Sequence, residues 1–272
     1  MRIFAGRRCL RATRQNRRSS QAGLLTRVIF LGTNGWYDNA AGNTICTAIE
    51  CDDRYVILDA GNGIHKMDRL LTDQKPADLF LSHFHLDHIE GLHTIVRLNF
   101  SKGLRIFGQP GIREALGTIM RQPYTVPLSD MPFRVGVFEL PAEHALAPYL
   151  KDSRPLVHAA PCLGFRFEIE GRTIAYCTDT GMCSNLIELG RNADLLITEC
   201  SAISGQRRDS WPHLSPEDAV TIAKETRAKR VALVHFNAAL YPTLESRKAV
   251  QEKLAREADN ITVTFDDMVL EL

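Results

Sequence analysis

Four side chains that commonly bind metal ions lie within six consecutive positions of the segment "LFLSHFHLDHIEGL", residues 79–92. They are His83, His85, Asp87 and His88, although the whole chain has 9 histidines in 272 residues. With the chain's own His and Asp frequencies, the pattern has roughly a one in two thousand chance of arising by accident. Imidazole nitrogen and carboxylate oxygen suit zinc, manganese and iron(II), whereas magnesium and calcium prefer oxygen ligands. The segment therefore predicts a metal site.

The spacing of these four residues predicts two ions rather than one. In an extended or turning segment, His83 and His85 project to one side. Asp87 and His88 then turn toward a neighbouring point, and dinuclear sites hold their ions ~3.5–4 Å apart. Four ligands cannot fill two tetrahedral shells, so further ligands must come from other parts of the chain. Three residues that end strand-like segments meet this requirement, namely His158, Asp179 and His235. His144 is the alternative to His158, but no hairpin follows it.

Short β-like runs and helical patterns alternate along the chain and place these residues at strand ends. Strands are predicted at 27–32, 43–50, 55–61, 77–82, 104–108, 192–200, 231–236, 261–265 and 268–272, with a hairpin over 162–181. Helices are predicted after residue 88, near 111–121, from Ser215 onward and at 244–258. The rest of 100–157 reads as loops. Strand pairs followed by strand–helix units occur twice, which predicts two sheets face to face with helices outside.

The charge of the chain is divided unevenly. Residues 1–27 contain eight arginines, no lysine and no acid, in a chain with 33 basic and 32 acidic residues, so the remainder carries a formal charge of −7. An acidic body argues against a broad nucleic-acid surface but not against a small phosphate ester. We therefore predict a basic leader over residues 1–26 and one hydrolase domain over residues 27–272. The leader could be an organelle-targeting peptide, a tail that contacts polyanions or, as we favour, the product of an upstream start codon.

The composition also indicates in which cellular compartment the protein lies. No apolar stretch approaches the length of a membrane span. The seven cysteines form no Cys-x-x-Cys pair, and several lie in apolar strand-like text. Buried thiols in a reducing compartment explain this better than disulfides do. We predict a cytoplasmic protein with no membrane partner, unless the leader directs it to an organelle.

Several of these motifs together resemble a known family. "SHFHLDHIEGL" resembles the metal-binding motif of the metallo-β-lactamase fold superfamily. Asp59 in "ILDAG", His158, Asp179 in "TDTG" and His235 in "LVHF" match its remaining motifs in order, from about residue 27 to the end. Within the superfamily, the chain is most similar to ribonuclease Z-like phosphodiesterases. That similarity depends on "FLGT", on "ADLLITE" and on "HLSPEDAVTIAKE" before "LVHF".

The resemblance implies an α/β fold, a four-layer αββα sandwich with the metal site at one edge of the sheets. It implies two Zn²⁺ ions, with Mn²⁺ or Fe²⁺ as alternatives, and a bridging hydroxide that attacks a phosphodiester. The implied ligands are His83, His85 and His158 for one ion, Asp87, His88 and His235 for the other, and Asp179 for both.

The resemblance also gives catalytic roles to Glu199, His213 and Asp87. Glu199 and His213 correspond to a dyad that assists proton delivery to the leaving oxygen, and Asp87 helps to orient the nucleophile. Asp59 is expected to fix a ligand histidine by a hydrogen bond. Simpler interpretations exist, since Asp59 could cap a turn and His213 could be an ordinary surface residue before a helix.

The substrate is less well determined than the chemistry. Only 20 residues separate His158 from Asp179, whereas ribonuclease Z enzymes that process transfer RNA often carry a protruding arm there. A cyclic nucleotide or short oligonucleotide is therefore at least as well favoured as an RNA 3′ end, and the sequence is compatible with a homodimer. Two rival hypotheses are a metallo-hydrolase of a lactone or thioester, and a non-catalytic metal-stabilised binding module. The first would usually lack the Glu199–His213 pair, and the second would have broken ligands.

Overall fold

The order of elements follows the predicted repeat of strand pairs and strand–helix units. The structure is a computed structural model that describes residues 26–72, 75–206 and 211–272. The predicted leader, apart from Thr26, lies outside the described residues. The strands are β1 (Arg27–Gly32), β2 (Asn34–Gly35), β3 (Cys46–Glu50), β4 (Tyr55–Leu58), β5 (Ala77–Phe80), β6 (Leu104–Gly108), β7 (Val135–Glu139), β8 (Leu150–Pro155), β9 (Leu163–Ile169), β10 (Arg172–Cys177), β11 (Leu195–Glu199), β12 (Val231–Val234), β13 (Phe236–Asn237), β14 (Ile261–Val263) and β15 (Val269–Glu271).

Helices connect the parallel strands. The α-helices are α1 (Leu86–Ile89), α2 (Ile112–Ile119), α3 (Ser184–Gly190), α4 (Pro216–Thr226) and α5 (Leu244–Leu254). The 3₁₀ helices are Asn62–Arg69, Glu90–Arg97, Leu128–Asp130 and His144–Leu146. Within the described residues, we find no helix with both the length and the apolar character needed to cross a membrane.

Two large sheets share one connection scheme. The first has the order β15–β1–β3–β4–β5–β6–β7, and the second has the order β14–β12–β11–β10–β9–β8. In the first sheet, β1, β3 and β4 pair antiparallel, and β4 to β7 pair parallel. In the second, β8, β9 and β10 pair antiparallel, and β10, β11, β12 and β14 pair parallel. The carboxyl ends of the parallel strands therefore meet at one edge of each sheet.

Three apolar layers separate four structural layers. Along β1, Val28 and Phe30 pack between the sheets, whereas Ile29 and Leu31 pack under the helices of the first sheet. This alternation is what a strand with period two requires when both faces are covered. The helices α3, α4 and α5 cover the outer face of the second sheet. Each fully buried Leu or Phe contributes about 1.5–3 kcal/mol, so these layers hold the fold together. The predicted αββα sandwich is confirmed.

The segment 100–157 contains two strands that the sequence analysis did not predict. Both β7 and β8 are edge strands. All of β7 is half-buried, and β8, "LKDSRP", has one buried residue. Edge strands bury less surface, and the polar residues of β8 leave little apolar pattern to mark it as a strand. The prediction of loops there was wrong.

The prediction of a single helix after the metal motif also needs correction. The chain forms the short α1 and then the 3₁₀ helix Glu90–Arg97. Gly91 packs so closely that a Cβ there would lie 2.2 Å from the carbonyl oxygen of Gly61. Its N–H also donates to the carbonyl of Ala60 at 2.9 Å. Close contact with the turn after β4, rather than local helical spacing, decides the conformation here.

Candidate metal centre

The predicted site residues lie where parallel strands end. Asp59 follows β4, and the His83–His88 segment follows β5. Asp179 follows β10, Glu199 ends β11 and His235 follows β12. Because open parallel sheets bind ligands beyond the carboxyl ends of their strands, one edge of the sandwich collects these side chains.

Three of these residues adopt backbone conformations that are unusual for their types. The φ angles of Asp59, Asp179 and His235 are 57°, 53° and 54°, in the left-handed region. Such a conformation in a non-glycine residue costs of order 1–3 kcal/mol, and it persists where surrounding structure enforces it. Each turn ends a strand abruptly and leaves the side chain at the edge of the sheets. Strain of this kind concentrates at functional sites.

The first group of candidate ligands consists of His83, His85, His158 and Asp179, whose ligand atoms all lie within 4.8 Å of one another. His158 Nε2 lies 3.2 Å from His85 Nδ1. Asp179 Oδ2 lies 3.6 Å from His83 Nε2 and 3.7 Å from His158 Nε2. Four donor atoms around one point suit a tetrahedral ion.

The second group consists of Asp87, His88 and His235. His88 Nε2 lies 3.1 Å from His235 Nε2, and Asp87 Oδ2 lies 3.2 Å from the same atom of His235. Asp179 Oδ1 lies 3.1 Å from His235 Nε2 and 3.3 Å from His88 Nε2. The two oxygens of Asp179 thus face the two groups separately, which is the arrangement that a shared ligand needs.

The hydrogen bonding of these residues fits divalent ions. His83 Nε2 and Asp179 Oδ1 are buried and have no hydrogen-bond partner among the described residues. His88 Nδ1 donates to Asp59 Oδ2 at 2.8 Å, so Nε2 is the atom that faces the site, and it presents a lone pair once the ring loses its second proton. Unpaired buried polar atoms are costly, and a cation would give all of them a partner. The donor set of nitrogens and carboxylate oxygens matches zinc, manganese or iron(II) better than magnesium.

The protonation states of the candidate ligands and the nearby carboxylates also favour cation binding. Burial lowers the pKa of His83 well below its usual value and that of His158 to about 4, so both rings are neutral donors at neutral pH. His88 differs, because three carboxylates outweigh its burial and raise its pKa. The field that holds a proton on His88 would attract a divalent cation equally, and such an ion would replace the proton.

Asp59 makes the contact that its predicted role requires. Its carboxylate is fully buried. It accepts hydrogen bonds from the backbone N–H and hydroxyl of Ser82 at 2.7 and 2.8 Å, and from the Tyr176 hydroxyl at 2.7 Å. Together with the bond from His88, these contacts fix the tautomer and orientation of one candidate ligand. Ser82 and Tyr176 were not predicted, because an ordinary serine and a strand tyrosine carry no local signal.

Glu199 and His213 form the predicted pair. His213 Nδ1 lies 2.8 and 2.9 Å from the two carboxylate oxygens of Glu199, which is buried. Backbone N–H groups of Thr180 and Leu214 also donate to this carboxylate, at 2.7 and 3.2 Å. Burial disfavours a charged His213, but the carboxylate outweighs it and raises the pKa of His213 to about 9. The predicted N-cap Ser215 begins α4 directly after this segment, with a capping box to Asp218.

Other histidines lie elsewhere. The ring of His144 contacts the backbone carbonyl of Leu150 in a 3₁₀ turn. His65 and His93 are exposed on 3₁₀ helices, each with Nδ1 close to a backbone carbonyl of its own turn. The structure therefore brings His158, and not His144, to the cluster.

The sequence analysis did not predict the two tryptophans that lie at the entrance to the candidate metal centre. A cleft of about 280 Å³, the metal cleft, is lined by candidate ligands and by Trp36, Leu86, Trp211 and His213. The backbone N–H of Trp36 donates to Asp87 Oδ2 at 2.7 Å. One available signal was that both tryptophans of the chain lie in polar, turn-like segments, where large apolar rings are unusual.

Comparison with known proteins places this architecture. A family model described as the beta-lactamase superfamily domain matches residues 54–236. Ribonuclease Z of Pyrococcus abyssi is 26% identical over 304 aligned positions, which cover 89% of this chain and 98% of that protein. The metallo-beta-lactamase fold protein YhfI of Bacillus subtilis superimposes with a TM-score of 0.73 at 20% identity, covering 91% of this chain and 100% of that one. A diphosphatase from the PhnP family gives a TM-score of 0.67 at 17% identity, with coverages of 92% and 98%.

Proposed function

This chain belongs to the beta-lactamase superfamily, as a hydrolase with a metal-binding edge, and we propose that the bond it cleaves is a phosphodiester. The observation that carries the proposal is the buried Glu199 carboxylate paired with His213 beside the candidate metal ligands. The similarity to ribonuclease Z along 89% of the chain supports the same chemistry. An alkoxide leaves a phosphodiester readily only if an acid protonates it, and a protonated histidine can do this.

The candidate ligands would hold two ions, and Zn²⁺ is the proposed occupant because imidazoles dominate the set. Divalent ions, when bound, lower the pKa of a coordinated water and offset negative charge on phosphoryl oxygens. The ligand residues are His83, His85 and His158 on one side, Asp87, His88 and His235 on the other, and Asp179 between them.

The chain's own residues handle orientation and protons. Asp87 stays ionised because nearby imidazoles, against the effect of its burial, lower its pKa. It accepts a hydrogen bond from the Trp36 backbone, and it would accept another from the attacking water and aim that water at phosphorus. His213, protonated and held by Glu199, would donate its proton from Nε2 to the leaving oxygen. The carboxylate stabilises the imidazolium before transfer and keeps the ring oriented afterwards.

A substrate panel tests the proposal. The purified protein, loaded with Zn²⁺ or Mn²⁺, is incubated with bis-p-nitrophenyl phosphate, a cyclic nucleotide, an unprocessed transfer RNA and a simple lactone. We expect phosphodiester cleavage that chelator abolishes. Cleavage of the lactone alone would contradict the proposal, and metal binding without any turnover would favour a non-catalytic module. The short β9–β10 hairpin, which fills the chain between His158 and Asp179, favours the smaller phosphodiesters over transfer RNA.

A single substitution tests the acid. His213→Ala should lower kcat about 10²–10⁴-fold on a dialkyl phosphodiester, the usual contribution of a general acid. The loss should be much smaller on bis-p-nitrophenyl phosphate, because nitrophenolate leaves without a proton. His144→Ala, a histidine substitution away from the centre, is the matched control and should leave both rates unchanged. Equal losses on the two substrates for His213→Ala would contradict the role. The identity of the ion, a homodimer and a cytoplasmic location stay predictions.

A further inference from the structure

The chain has 2 tryptophans, and both are exposed at the mouth of the metal cleft. Trp36 is 52% exposed and Trp211 is 37% exposed. Their ring centroids lie 5.9 Å apart, with an angle of 25° between the ring planes. Tryptophan is highly buried on average, so two adjacent exposed indoles form an apolar surface that needs an explanation.

Both tryptophans contact candidate metal ligands, Trp36 through its backbone and Trp211 through its ring. Trp36 has a left-handed φ of 75°, and its backbone N–H donates to Asp87 Oδ2 at 2.7 Å. The Trp211 ring stacks on the imidazole of His85 with 6.2 Å between centroids and an angle of 7°. The edge-on contact of Trp211 with His158 spans 6.1 Å. These contacts place both tryptophans beside the candidate ligands, where a bound substrate would meet them.

A second cavity adjoins the metal cleft. This side cavity, of about 170 Å³, is lined by Ser201, Gln206, Asn237, Leu240, Trp211 and His213 among others. His213 and Trp211 line both spaces. Since His213 is the proposed donor to the leaving oxygen, the side cavity lies on the leaving-group side of the reacting phosphate.

The side cavity combines an aromatic wall with amide groups. Asn237 Oδ1 accepts hydrogen bonds from the backbone N–H groups of Ala239 and Leu240, at 3.0 and 3.2 Å. Its amide nitrogen is therefore the group offered to a ligand, and Gln206 supplies a second amide. A planar heterocycle with polar edges could stack on the indole and also form hydrogen bonds with the two amides. An alkyl or sugar group could make only one of these two kinds of contact.

We propose that the Trp211 ring, which lines the side cavity and packs against Trp36, stacks on the base of a nucleoside leaving group, so that the enzyme selects nucleoside phosphodiesters over esters of simple alcohols or bare sugars. The inference rests on the proposed function, because His213 defines the leaving-group side. Stacking of a base on an aromatic side chain is worth about 1–3 kcal/mol and tolerates any base. Selection is thus for the presence of a base rather than for its identity.

Matched substrates test the selection. A dinucleoside phosphate is compared with the same compound lacking the base of its leaving nucleoside, because the leaving oxygens are then of similar basicity. We expect kcat/KM of the wild type to be roughly 5–150-fold higher with the base present. Trp211→Leu and Trp36→Leu should each reduce that ratio, and Trp211→Phe should restore part of it. Tyr124→Leu, an exposed aromatic residue away from the cleft, is the control and should leave the ratio unchanged.

The outcomes separate the two proposals. A wild-type ratio near one, or equal losses on both substrates in the leucine variants, would overturn the stacking proposal and leave the phosphodiesterase standing. Absence of hydrolysis of both compounds by metal-loaded enzyme would count against the phosphodiesterase.

Fluorescence supplies a readout that needs no turnover. Since both tryptophans lie at the mouth, intrinsic tryptophan fluorescence reports directly on this surface. A nucleoside monophosphate should quench it, and ribose 5-phosphate should not. The quenching should weaken in Trp211→Leu. Unchanged fluorescence with the nucleotide at concentrations that inhibit turnover would overturn the proposal.

Discussion

Asp179 and Asp78 are both buried carboxylates, but they lie at opposite edges of the sandwich. Asp78 lies near the amino end of β5, where Arg105 donates to both of its oxygens at 2.6 and 2.5 Å. Arg54 donates to it at 3.1 Å, and the Tyr149 hydroxyl donates as well. Asp179 follows the carboxyl end of β10, where imidazoles surround it at 3.1–3.7 Å and Oδ1 has no hydrogen bond to a described residue.

The difference indicates that the Asp78 carboxylate stabilises the fold, whereas the Asp179 carboxylate is available to bind a cation. At the Asp78 edge, the protein itself satisfies the buried group, so the charges stabilise one conformation of the chain. At the Asp179 edge, the backbone is strained and buried polar atoms lack hydrogen bonds to the described residues. Bound divalent ions would give these atoms their partners. Substitution at the two edges should therefore move different quantities, activity at one and stability at the other.

The largest effect is expected for Asp179→Asn. Metal ions contribute several kcal/mol of transition-state stabilisation, so loss of the shared ligand should lower kcat about 10³-fold or more. The bound metal, measured by elemental analysis, should fall below that of the wild type. The free energy of unfolding in chelator should fall little or rise, since active-site residues often reduce stability. A large loss of stability with full metal content would contradict this prediction and would show that Asp179, like Asp78, mainly stabilises the fold.

Asp78→Asn should show the opposite behaviour. Removing one partner of a buried ion pair costs about 3–5 kcal/mol, and the amide retains part of the hydrogen bonding, so we expect a loss near ~3 kcal/mol. Urea unfolding monitored by circular dichroism measures this loss. The kcat of the folded variant should match the wild type. A variant that is stable but inactive would contradict the assignment of Asp78 to stability and Asp179 to activity.

Asp59→Asn should have an intermediate effect. Groups that orient ligand histidines usually contribute 10–100-fold to metal affinity, so the metal Kd should rise by about that factor. Competition with a coloured chelator measures the Kd. Tyr176→Phe removes one donor to Asp59 and leaves the bond from His88, so its effect should be smaller. An effect as large as that of Asp59→Asn would indicate that Asp59 acts mainly through packing.

The smallest expected effect is a pH dependence of metal affinity. Burial alone would lower the pKa of His88, but the carboxylates of Asp179, Asp59 and Asp87 outweigh it and raise that pKa well above its usual value. The metal-free ring is thus protonated at neutral pH, and binding must release that proton. As pH falls, the metal Kd should rise by about tenfold per unit for each proton displaced. Calorimetry in buffers of different ionisation enthalpy counts the protons, and zero release would contradict the assignment.

Much of the fold was accessible from sequence because its elements have clear local patterns. The apolar run of β1 that ends at Gly32 and the helix start at Ser215 each depend on a few neighbouring residues. The hairpin around Glu170 and Gly171 does too, and all three are present in the structure. The edge strands β7 and β8 were missed because prolines and polar residues surround them and only one of their residues is buried. The 3₁₀ helix Glu90–Arg97 was missed because a close contact with Gly61, rather than local spacing, shapes it.

By itself, the sequence determined the chemical types available and the local cluster from His83 to His88, since spacing along one segment fixes which side chains can share a point. It also indicated the strand ends from which further ligands would come. Tertiary structure decided the choice of His158 over His144 and the satisfaction of Asp78 by two distant arginines. It also decided the pairing of Trp36 with Trp211 beside His213. Those contacts depend on strand order and sheet stacking, which join residues far apart in the chain.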